Sequence, residues 1–143
     1  MLGQRACEQL PASELRLPAR ASKLALARDY ARAAAAACGF AEDACYELSV
    51  AVNEAVTNAI RHGRPDAQGT IRVSVQADER ALTVAVRDFG TFSAGRAAGG
   101  PDGAASAVED GGRGFAVMAA LMDAVQLCVA PGSTTVRLCK ALP

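Results

Sequence analysis

The stretch Glu47-Leu-Ser-Val-Ala-Val-Asn-Glu-Ala-Val-Thr-Asn-Ala-Ile-Arg-His-Gly-Arg64 decides the fold, because it sets Glu54 and Asn58 one turn apart on an otherwise apolar helix. Leu48, Ala51, Val52, Ala55, Val56, Ala59 and Ile60 recur at helical spacing. Such a helix buries one broad face while Glu54 and Asn58 project from its flank. An amide oxygen is a hard ligand for Mg²⁺, and a carboxylate beside it can take a proton from an attacking hydroxyl or water. Taken alone, the pair reads first as solvated surface, since exposed polar residues are common on helices.

Two further segments reverse that reading. Arg80-Ala-Leu-Thr-Val-Ala-Val-Arg-Asp-Phe-Gly90 alternates as a strand, with Leu82, Val84 and Val86 on one face and Thr83, Ala85 and Arg87 on the other. Asp88 keeps the parity of the apolar face. A carboxylate aimed at the buried side is costly without a partner, and an adenine amino group would supply one. Gly111-Gly-Arg-Gly-Phe-Ala-Val-Met-Ala-Ala-Leu-Met-Asp123 then places glycines at the start of an amphipathic helix whose apolar residues include Phe115, Val117, Met118, Leu121 and Met122. Glycines there let backbone N–H groups approach phosphate oxygens, and the helix N-terminus adds a favourable dipole.

In this order, Glu-x-x-x-Asn on a helix, Asp-x-Gly after a strand, a Gly-rich lid and Gly-x-Gly-Phe opening a helix resemble the GHKL ATPases. Within them, Asn53 to Gly63 and Gly112 to Asp123 look most like the bacterial anti-sigma factor serine kinases, as does the closing Ser133-Thr-Thr-Val-Arg-Leu-Cys-Lys140. The resemblance covers about residues 12 to 140. It implies an α/β Bergerat ATP-binding fold: an α+β two-layer sandwich whose mixed, mostly antiparallel sheet carries its helices on one face. It also implies ATP and Mg²⁺. Asn58 would hold the metal, Glu54 would orient or deprotonate a serine hydroxyl, and Asp88 would read adenine, followed by Gly90. Gly112, Arg113 and Gly114, with Phe115 behind them, would meet the phosphates. Implied partners are a sigma factor, a STAS-type anti-anti-sigma protein that accepts the phosphoryl group, and a second copy in a homodimer.

Composition agrees with one small cytoplasmic domain over residues 1–143. Lys plus Arg and Asp plus Glu number 15 each, so nothing suggests electrostatic binding of nucleic acid. The Ala-rich run from Ala25 to Cys38 is interrupted by Arg28, Asp29 and Arg32, which excludes a membrane span there, and the N-terminus lacks the apolar run of a signal peptide. Five cysteines without a Cys-x-x-Cys read as reduced thiols.

The remaining elements follow from periodicity and turn residues. A short strand is predicted around Leu15 and Leu17, and a helix from Ala21 to Cys38 that stops at Gly39. Glu42 to His62 forms the metal-site helix. Strands follow around Ile71, Val73 and Val75 and through Asp88, then a hairpin from about Val125 that turns at Pro131-Gly-Ser and returns through Thr134, Val136 and Leu138. Parity turns Thr134 toward the helices, where its hydroxyl can join Asp88 or be satisfied by its own strand neighbours; the resemblance implies the pocket. Between Thr91 and Gly111 the chain is Gly/Ala-rich without apolar period, a loop of lid length, and Phe92 stands where the family has the second glycine of Asp-x-Gly-x-Gly. His62 reads as a helix-end polar group.

Two other functions compete. A non-catalytic nucleotide-binding module that switches partners needs no base such as Glu54. A sensor histidine kinase domain needs a helical hairpin that the few residues before Leu15 do not provide. Asp88-Phe-Gly90 is no eukaryotic kinase motif, because the strand lysine and His-Arg-Asp loop are missing.

Overall fold

The computed structural model describes residues 12–90 and 114–143. β1 (Ser13–Pro18) leads through a 3₁₀ turn (Ala21–Lys23) into α1 (Leu24–Ala37) and α2 (Glu42–His62). β2 (Thr70–Ala77) and β3 (Ala81–Asp88) follow. Residues 114–121 form α3, and β4 (Ala124–Ala130) and β5 (Ser133–Ala141) close the chain. The predicted helix from Ala21 thus begins as a tighter turn, a common way for a helix to start.

The sheet runs β1-β2-β3-β5-β4, and every described pairing is antiparallel. A mixed sheet was the expectation. β3 and β4 do run in the same direction, each being antiparallel to β5, but β5 lies between them and no parallel pair forms among the described residues. The β4–β5 turn is the two residues Pro131 and Gly132. Proline sets the first turn position and Gly132 takes the positive φ of 76° that the second requires.

Alternation makes the inner face. Leu17, Ile71, Val73, Val75, Leu82, Val84, Val86, Val136 and Leu138 are buried, at intervals of two along their strands. α2 lies on them over β3 and β5, and α1 packs beside α2 and against β2. Packed against both α1 and the sheet, α2 buries a wide arc, from Cys45 and Leu48 through Ala51, Val52, Ala55 and Val56 to Ala59. The buried residues of α1 are Ala27, Ala31, Ala34 and Ala35, whose small side chains let the two helices approach closely. Glu42 and Asp43 in the first turn of α2, and Arg61 and His62 in its last, complement the helix dipole.

Two further findings concern the cysteines and the sheet edge. Cys38, fully buried at the end of α1, is disulfide-bonded, whereas Cys45, Cys128 and Cys139 are free, so the all-thiol expectation is corrected at one position. Leu127 and Val129 on β4 share the inner face with their partners Val136 and Thr134 yet stay exposed, because the described helices leave that edge uncovered. No helix among the described residues is long and apolar enough to cross a membrane.

Candidate functional site

Glu54 and Asn58 face the start of α3. A Cβ built on Gly114 would sit 3.1 Å from Asn58 Nδ2, 3.3 Å from Glu54 Oε2 and 3.5 Å from Asn58 Oδ1. The two polar side chains of α2 and the glycine of α3 therefore face one another; the spacing in the sequence set the first two one turn apart, and the fold brings the glycine to them. Asn58 is 9% exposed, and its Nδ2 has no hydrogen-bond partner. An orphaned buried amide costs about 1–3 kcal/mol, which a ligand that supplies the missing partner recovers. Glu54 remains half-buried and accessible beside it.

Asp88 ends β3 with 2% of its surface exposed. Its Oδ1 accepts hydrogen bonds from Gly90 N (2.9 Å) and, at longer range, from Arg64 N (3.4 Å). Thr134 lies directly opposite on β5, 1% exposed, with its hydroxyl 3.5 Å from the Gly90 carbonyl. The next side chain, Phe89, points the other way. Its ring lies 5.1 Å from the Arg72 guanidinium and 4.9 Å from that of Arg87, which anchors the strand end on the outer face and fixes the inward aim of Asp88.

The structure thus brings Glu54, Asn58 and Gly114 together at one place and Asp88, Gly90 and Thr134 at another, the two joined by α2. Phe115 packs against the core behind Gly114. Gly112, Arg113 and the expected lid over 91–111 with Phe92 lie outside the described residues. His62 is exposed in the last turn of α2, as expected of a helix-end residue.

Sequence reasoning missed Gly63. It reads there as the first of the turn residues that follow the helix, and only the folded chain shows it pressed against Asp88: an added Cβ would meet Asp88 Cγ at 2.3 Å and Oδ2 at 2.6 Å. A glycine following a helix carries no other signal of that contact.

An amphipathic helix bearing a carboxylate and an unpaired amide against a glycine-led helix, beside a buried strand-end aspartate, is the arrangement of an ATP-binding domain. The histidine kinase-like ATPase domain matches residues 17–140, and the chain belongs to that family. It is homologous to the serine-protein kinases RsbW. It is 29% identical to the one from Bacillus cereus (strain AH820) over 133 residues, which span 89% of this chain and 83% of the relative. RsbW of Listeria innocua is 36% identical over 78 residues, 54% of this chain and 50% of the relative. Among solved structures, that of the RsbU and RsbW domains of a Mycobacterium tuberculosis protein superposes with a TM-score of 0.67 at 20% identity. The match covers 94% of this chain and about a third (34%) of the other. The SiaB-SiaC complex from Pseudomonas aeruginosa gives 0.59 at 13% identity over 89% of this chain and 88% of the other. Both share the fold: a five-stranded antiparallel sheet with helices on one side.

Proposed function

We propose that the chain is an ATP-dependent serine kinase and anti-sigma factor. It transfers the γ-phosphoryl group to a serine of a STAS-type anti-anti-sigma protein and sequesters a sigma factor when that antagonist is not bound. The observation that carries the reading is the contact of Glu54 and the orphaned Asn58 amide with Gly114, which supplies a base and a phosphate-side polar group at one helix start.

Asn58 fits as a hard oxygen ligand: its Nδ2 has no partner to lose, and an amide flip would turn Oδ1 toward the site; the Mg²⁺ it would hold would neutralise charge on the phosphates. Phosphoryl transfer depends mainly on positioning and charge stabilisation. Backbone N–H groups around Gly112, Arg113 and Gly114 would hold phosphate oxygens at the dipole-positive end of α3. Glu54, half-buried and facing that end, would accept the proton of the incoming serine hydroxyl. Asp88 would accept a hydrogen bond from the adenine amino group, with Thr134 opposite it.

The protein would work in the cytoplasm as one domain over residues 1–143, as a homodimer, with residues 91–111 as its lid and no direct contact with nucleic acid. Mass spectrometry of a STAS protein from the same cell, incubated with this protein, ATP and Mg²⁺, tests the kinase. Phosphoserine is expected with the natural chain and none with Glu54→Ala, which should still bind nucleotide, while Asn58→Ala should lose Mg²⁺-dependent affinity as well. Wild-type transfer by Glu54→Ala rules out Glu54 as the base. Failure to co-purify any sigma factor from the same cell, with ATP or with ADP, removes the anti-sigma role.

A further inference from the structure

Gly63 closes α2 with φ −95° and ψ −164°, an extended conformation open to any residue. Its backbone therefore does not call for glycine. Space does: besides the approaches to Asp88, a Cβ would lie 2.6 Å from the Ala59 carbonyl oxygen, which accepts the Gly63 N–H at 3.0 Å. The following residue ties the same junction together. Arg64 donates its N–H to Asp88 Oδ1 at 3.4 Å, and its carbonyl accepts the Phe89 N–H at 2.8 Å. The end of α2 is thus closed onto the end of β3, and the Asp88 carboxylate occupies the volume that any side chain at position 63 would fill.

We propose that Gly63 is a positioning residue for recognition of the nucleotide base. Lacking a side chain, it lets α2 close on β3 so that the carboxylate of Asp88 is held where a purine 6-amino group can donate to it. The helix that carries Glu54 and Asn58 at the phosphate end thereby also sets the specificity of the base end. The proposal rests on the reading of this site as an ATP site, with Asp88 as its adenine contact.

Calorimetric titration with ATP and with inosine triphosphate, which carries a 6-oxo group in place of the amino group, tests it in Mg²⁺ buffer. Four proteins are compared: the natural chain, Gly63→Ala, Asp88→Ala and the double variant. The natural chain should prefer ATP by about tenfold or more, the worth of one buried hydrogen bond. Gly63→Ala should lose most of that preference by weakening ATP, leaving inosine triphosphate nearly unchanged. In the Asp88→Ala background it should have no further effect on the ratio, because the group it displaces is gone. General destabilisation would weaken both nucleotides alike, so equal losses, or an unchanged ratio, overturn the proposal. If Gly63→Ala alone does not fold, folding of the double variant supports the contact with Asp88. Unfolding of both assigns the crowding to Ala59 and overturns it. A natural chain that binds neither nucleotide, or an Asp88→Ala variant that keeps the preference, defeats the ATP-site reading itself and the proposal with it. An intact preference lost in Asp88→Ala but not in Gly63→Ala defeats the proposal alone.

Discussion

Gly114 is asked to satisfy two opposed demands. As the first described residue of α3 it lowers helix stability, since glycine is about 1 kcal/mol worse than alanine inside a helix. Against that, its missing side chain keeps the space in front of Glu54 and Asn58 open to within 3.1 Å. Gly114→Ala should therefore leave the melting temperature unchanged or slightly raised while lowering ATP affinity, by about tenfold or 1.4 kcal/mol. Parallel thermal melts and titrations check it, and an affinity equal to the natural chain's would mean that the ligand does not use this opening. Asn58 shows the complementary pattern. Its Nδ2 is left without a partner inside the fold, a cost that natural sequences retain mainly where a ligand or water supplies the missing bond.

The connection between α2 and β2 is organised by one carboxylate. Asp66 accepts hydrogen bonds from Thr70 N and Gln68 N, both at 2.9 Å, and from Thr70 Oγ1 at 2.8 Å, and pairs with Arg72 Nη1 at 2.7 Å. The Thr70 N–H, followed by the Thr70 hydroxyl and the Arg72 guanidinium, holds the Asp66 carboxyl well below the usual carboxylate range against a smaller opposing effect of burial. Asp78 is lowered in the same sense by the backbone N–H groups of Arg80 and Ala81 in the β2–β3 turn. A group whose folded pKa lies below its unfolded value stabilises the fold above the unfolded value and loses that contribution as pH falls through the folded one. For Asp66→Asn, the deficit in melting temperature relative to the natural chain should thus be full above about pH 4 and shrink below it. Melts from neutral to acid pH measure this, and a deficit that grows on acidification contradicts the assignment. Because Arg72 is also one of the two cations over Phe89, this turn and the Asp88 strand end share a support.

Across the whole molecule, stability rests on α2, the helix packed against both α1 and the sheet. Leu48 is fully buried in its N-terminal half, and Leu48→Ala should cost about 2–5 kcal/mol, read as a lower denaturation midpoint with an unchanged slope. A loss under 1 kcal/mol, what a surface change costs, would show that the face of α2 around Leu48 is not buried. Much of this arrangement was legible in the sequence because it depends on local periodicity. The apolar spacing of Leu48 to Ile60 specified a helix buried over a broad face, and the alternation of Leu82, Val84 and Val86 specified the side on which Asp88 falls. The same parity rule turned Thr134 to the inner face, and the register then set it opposite Asp88. What no periodicity encodes is which elements become neighbours. That β5 enters between β3 and β4, that β4 keeps Leu127 and Val129 exposed, and that Cys38 is disulfide-bonded are consequences of chain path. Gly63 belongs with them. Local sequence gives a residue its conformational preferences, but the need for an absent side chain at the end of α2 arises only when a distant strand brings a carboxylate to within van der Waals distance of it.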